Sequence, residues 1–181
     1  MMKPRLFPAL LAWLLLATGC STVATLQSLG EDPVAMPEEA WAGTWIHKDG
    51  AVTVRVLNPA QGLLEVGWVE ESGGRLTTES YTVQLRRSAG WMFGNLEAEG
   101  EPGRYLWARV AKEGNQIIVW RPDPGKFKRL VEQGKLPGSV TEDDDVVLQP
   151  LSAEQMGLLT SEREGVLLEW DDPVVFSRLV P

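Results

Sequence analysis

Few residues in this chain could do chemistry. It has one cysteine, Cys20, and one histidine, His47. A lone cysteine excludes an intrachain disulfide and any multi-cysteine zinc site. His47 would need a second ligand to hold a metal, or a neighbouring nucleophile to act as a base. No Gly-x-Ser-x-Gly elbow occurs, and "GKFKRL" lacks the frame of a phosphate loop. The densest charge run, "EDDD" (142–145), has oxygens for calcium but lacks the spacing and glycine of a calcium loop. It reads as a solvated turn before a strand. Asp171 and Asp172 are adjacent, but a carboxylate pair is defined by geometry rather than by neighbourhood in sequence. The expectation is a protein that is not an enzyme, with no metal and no dissociable cofactor. A hydrolase using His47 is the enzymatic alternative.

Cys20 has a more specific context. "MMKPR" is short and positive, "LFPALLAWLLLA" is apolar, and "TGC" follows directly. That is the order of a secretory signal, and the apolar run is shorter than the ~20 residues a membrane-spanning helix needs. The segment resembles a bacterial lipoprotein signal peptide, with Ala17-Thr18-Gly19-Cys20 as its lipobox. The resemblance implies diacylglycerol on the Cys20 sulfur, cleavage before Cys20, and a further acyl chain such as palmitate on the new amino terminus. Ser21 rather than Asp follows the cysteine, which implies anchoring in the outer membrane, facing the periplasm. Two or three chains would hold the protein there almost permanently, since one chain anchors only marginally.

The elements that would position any site begin after this leader. Residues 1–19 read as signal peptide, 20–40 as a flexible tether, being polar and small with two prolines, and 41–181 as a single mostly-β domain. Lys3 and Arg5 are the only charges before Cys20, so the remainder keeps 15 Lys and Arg against 25 Asp and Glu, a net of −10. That balance argues against nucleic acid, which requires concentrated positive charge. It also argues against docking on an anionic bilayer through a basic face.

From 41 to 121 the pattern is β. Val52, Val54 and Val56 alternate with Thr53 and Arg55; Leu64, Val66 and Trp68 share a face, as do Tyr81, Val83 and Leu85. "RYLWARVA" (104–111) and "QIIVW" (116–120) continue the series. Alternation of period two predicts half-buried antiparallel strands. Turn chemistry separates them at 48–50, 58–62, 71–74, 88–90, 99–103 and 112–114. The result is an up-and-down meander, which must close or be capped to manage its edges.

Beyond it, 123–138 predicts a helix with Asp123 as N-cap, Pro124 at the first position and Gly134 at the stop. The Ser152/Gln155 spacing opens a second helix over 152–161. Strands or extended pieces are expected at 143–150, 165–170 and 173–180. The fold class is mainly β with two short helices.

Gly43-x-Trp45 in the first strand of a meander resembles the lipocalin signature, in which the Trp closes one end of a barrel. The resemblance covers 41–121 and implies a lipocalin-like barrel or half-barrel, with Arg178 a candidate to stack on Trp45. Seven tryptophans follow the leader. Trp suits both ligand cavities and partner surfaces. The candidate ligand- or partner-binding residues are Trp45, Trp68, Trp107, Trp120 and Phe127, the last beside Lys126, Lys128 and Arg129 in a local positive patch. The expected function is a binding or adaptor module anchored to the envelope membrane, its partner another envelope protein. The alternative is a carrier of an apolar small molecule or lipid. The carrier requires a hollow barrel, and an interior filled by Trp45, Trp68, Val54 and Val83 would exclude it.

Overall fold

The computed structural model describes residues 21–48, 50–72, 75–161, 170 and 173–179, with 70–72 and 75–77 described by backbone only. Cys20 with its lipobox, and 165–169 of the expected piece at 165–170, lie outside the described residues.

The meander closes. Seven consecutive antiparallel strands run β3 (Gly43–His47), β4 (Gly50–Asn58), β5 (Leu63–Ser72), β6 (Arg75–Ser88), β7 (Trp91–Glu97), β8 (Tyr105–Glu113) and β9 (Gln116–Trp120). The last strand, β12 (Val174–Arg178), lies antiparallel between β3 and β9 and seals an eight-stranded barrel. Its register pairs Phe176 with Ile117 and Arg178 with Trp45. The fold is therefore a lipocalin-like closed barrel rather than a half-barrel. Closure removes the open edges that an isolated meander would leave.

The alternating apolar residues face inward as their spacing predicts. Val52, Val54, Leu64, Val66, Trp68, Val83 and Leu85 all line the barrel interior. β7 is an added strand at "WMFGNLE". It lacks alternation because both of its faces are covered: Gly94 and Leu96 line the interior, while Trp91 and Phe93 enter a second core outside.

That second core sits on the outer face of β7–β9. β8 is shared: its C-terminal half pairs with β9, and its start pairs with β1 (Val23–Thr25). β1 lies parallel to β11 (Val146–Leu148), which pairs with β10 (Gly138–Val140). Two helices cover this flare. α2 (Pro124–Glu132) starts at Asp123, whose carboxylate accepts from the Lys126 N–H at 3.2 Å; α3 (Ala153–Thr160) starts with the Ser152/Gln155 capping box. A further one-turn helix, α1 (Glu38–Trp41), precedes β3. Among the described residues no helix is long and apolar enough to cross a membrane.

The tether expectation is corrected for 21–40. Val23, Leu29, Val34 and Met36 are buried, and β2 (Asp32–Pro33) pairs with β6. The buried Asn95 side chain accepts from the Leu29 N–H at 2.6 Å and donates to the Leu29 carbonyl at 3.0 Å, in the manner of a neighbouring strand. Arg86 donates to the Gly30 and Glu31 carbonyls. A short polar segment is thus held by partners 55 to 66 residues away in sequence.

Candidate functional site

The barrel interior is hollow. It holds a cavity of about 210 Å³, open to solvent on one side, whose walls are almost entirely aliphatic and aromatic side chains. Val54, Val83 and Trp68, three of the four residues whose packing would have filled it, form its walls instead. An apolar cavity of roughly 150 Å³ is already large enough to stay dry and accept a benzene-sized molecule. Wall residues come from every barrel strand except β3, with α1 contributing Trp41. Gly94 and Ala108, paired across β7 and β8, keep the space open with small side chains.

Trp45 does not line the cavity but closes the barrel at one end. It is fully buried, and its indole N–H donates to the Trp41 carbonyl at 2.9 Å. Arg178 crosses its ring at 5.6 Å and donates to the Ala42 carbonyl at 2.6 Å; the Lys112 ammonium lies 5.1 Å from the same ring. The glycine two positions earlier has a physical reason. Gly43 has φ +134°, and a Cβ there would sit 3.6 Å from the Arg178 guanidinium. That distance is ordinary contact, so it is the positive φ, rarely adopted by L side chains, that calls for the glycine of the Gly-x-Trp triplet.

The other candidates divide between the two cores. Trp68 lines the cavity and is 4% exposed; its ring occupies the space a Cβ on Gly50 would take, at 2.8 Å. Trp107 reaches the cavity wall but packs mainly outside, edge-on to Phe93 and Phe127. Phe127 is fully buried beneath α2, so it cannot belong to a contact patch with Lys126, Lys128 and Arg129. Lys128 pairs with Asp144 at 2.6 Å, and Asp145 accepts from Thr22. Two acids of the "EDDD" run thereby tie α2 and the start of β1 to the β11 turn.

Trp120 belongs to a cluster the sequence did not indicate. The Arg109 guanidinium lies 4.2, 4.8 and 4.5 Å from the ring centres of Trp91, Trp120 and Trp170. Arg109, on the outer face of β8, is gripped by rings from β7, β9 and the segment leading to β12. Alternating aromatics in the sequence do not reveal which rings converge. His47, at the end of β3, packs its ring 5.5 Å from Phe176.

The fold and cavity define a class: a closed, hollow, lipocalin-like antiparallel barrel with an apolar interior. Compared with protein-family models, curated proteins and solved structures, the chain matches none of them.

Proposed function

We propose that the protein is a non-enzymatic binding module of the bacterial cell envelope, lipid-anchored through Cys20 at the periplasmic face of the outer membrane, whose barrel takes up an apolar small molecule or a single acyl chain. The observation that carries the reading is the apolar lining of the barrel cavity. A site lined by hydrocarbon favours hydrocarbon, with shape rather than charge setting selectivity.

Titration of the full chain with the apolar fluorophore N-phenyl-1-naphthylamine tests this. Saturable binding near one equivalent is expected, displaced by a fatty alcohol. Binding that never saturates, or that survives unchanged when Val66→Phe fills the interior, would overturn it. The anchor has its own test. Cys20→Ser should leave the chain unprocessed; a mature, membrane-bound Cys20→Ser protein would refute the lipobox.

A second reading, the adaptor, has one specific observation in its favour. Ile46, Ala51 and Val69 stand opposite one another across β3, β4 and β5 on the outside of the barrel, and Ile46 and Val69 are exposed. Such a row suits a protein contact. An Ile46→Lys/Val69→Lys protein would then lose a stoichiometric envelope partner that the parent retains, while fluorophore binding is unaffected.

A further inference from the structure

The apolar wall of the barrel changes character along β6. Leu85 and Val83 line the cavity, and the next two positions on the same face are Tyr81 and Glu79. Their cross-strand partners confirm the direction. Tyr81 stands opposite Val66 and Glu79 opposite Trp68, both cavity-lining residues of β5, and residues directly opposite in an antiparallel pair share a face. Glu79 and Tyr81 are half-buried, while Thr78, Ser80 and Thr82 on the other face are exposed. The pair lies at the end of the barrel away from Trp45. Tyr81 feels the charge of Glu99, in the turn that leads into the start of β8. Arg178, which stacks on Trp45, donates its backbone N–H to the Asn115 carbonyl, just past the other end of β8.

We propose that the barrel's ligand is a single-chain amphiphile whose alkyl tail enters the cavity and whose hydrogen-bond-donating head, a hydroxyl or an ammonium group, is held at the rim by the Glu79 carboxylate. The inference rests on the barrel being an apolar binding site and adds the head group that site accepts. The Tyr81 hydroxyl commits its one proton to Glu79 at 2.5 Å, so the pair presents only acceptor lone pairs to the mouth. Burial and the Glu79 carboxylate keep that proton in place, with Glu99 adding to the effect. A carboxylate retains acceptor sites beyond the one Tyr81 uses, and a donor from a ligand head fits them. An anionic head would instead bring a third negative charge beside Glu79 and Glu99 in a partly desolvated space. The basic residues of this rim, Arg121 just past β9 and His47 at the end of β3, belong to strands three removed from β6 in either direction, and each has an interaction of its own. The cavity also suggests a tail length. An apolar cavity of roughly 150 Å³ takes the six carbons of benzene, so one of about 210 Å³ takes about eight.

The test is calorimetric titration of the full chain at pH 7 in digitonin, whose bulky steroid cannot enter the cavity, with heats into protein-free micelles subtracted. The probes share one tail and differ in the head: octylamine, 1-octanol and octanoate. Octylamine and octanol should bind saturably near one equivalent, and octanoate about tenfold or more weakly. Glu79→Gln keeps the size of the side chain and an acceptor for Tyr81 but removes the charge. It should weaken octylamine about tenfold and bring octanoate to within about threefold of octanol. Glu113→Gln, which removes an exposed carboxylate at the opposite end of β8, should change neither. Uptake of N-phenyl-1-naphthylamine by Glu79→Gln should equal that of the parent, so altered selectivity reports the rim rather than the fold. Equal binding of the three probes, or a preference that survives Glu79→Gln, overturns the head-group assignment and leaves the apolar barrel site standing. Absence of saturable binding by all three overturns both.

Discussion

Two buried tryptophans differ sharply in what their indole nitrogens do. The Trp45 N–H has a buried acceptor, the Trp41 carbonyl, and its ring carries two cations. The buried Trp107 N–H has no hydrogen-bond partner among the described residues. Trp45→Phe leaves a buried carbonyl unpaired and weakens two cation–π contacts, so it should cost about 2–4 kcal/mol. Trp107→Phe discards a donor that was already unsatisfied and should cost about 1 kcal/mol or less. Urea unfolding of the two variants side by side checks the order, and equal losses would contradict it.

Tyr81 gives a pH signature at the same scale. Its hydroxyl donates to Glu79 at 2.5 Å, and burial together with that carboxylate pushes its pKa up to about 12. The folded chain holds this proton more tightly than the unfolded one. The stabilisation is therefore complete below pH 10 and declines as pH rises from 10 towards 12. Tyr81→Phe should flatten the part of the alkaline stability loss that falls in this window, as read from urea midpoints at pH 9 and 11.

Among the elements, the N-terminal segment decides most about the fold. β1 is three residues long, below any window in which periodicity can be seen, and its partner β11 begins 123 residues later, at Val146. Tether composition and strand pairing are compatible because the side chains that secure the segment, Asn95 and Arg86, belong to other strands. Asn95→Leu would strip the Leu29 backbone of both partners and should lower stability by about 3 kcal/mol. Gly30→Ala should be damaging as well: Gly30 has φ +101°, and a new Cβ would lie 2.6 Å from the Cβ of Arg86. Amide exchange across 22–36 should accelerate in both variants before the barrel strands respond; uniform acceleration would mean that segment and barrel open together.

At the scale of the molecule, the cavity opposes stability to function. Ala108→Leu projects new carbons into the barrel beside Gly94 and should raise the thermal midpoint while abolishing fluorophore uptake. A variant that gains stability and still binds would show that the ligand sits elsewhere.

Much of the barrel was readable in the linear order of residues. Period-two alternation named the inward faces of β4, β5 and β6, turn chemistry placed the hairpins, and Asp123 and Ser152 marked two helix starts. Gly43-x-Trp45 and Arg178 indicated how one end would close. These are local properties, fixed by backbone sterics and by which side of a strand a residue takes. Closure by β12, the hollow interior, the docking of 21–36 and the convergence of three tryptophans on Arg109 are properties of distance between residues far apart in the chain. No pattern of neighbours encodes whether apolar side chains meet across a barrel or stop short, because that depends on the strand count and tilt that close it. The sequence alone determined an alternating, strand-rich chain behind a lipobox-like leader; the tertiary structure decided that its apolar residues surround a space.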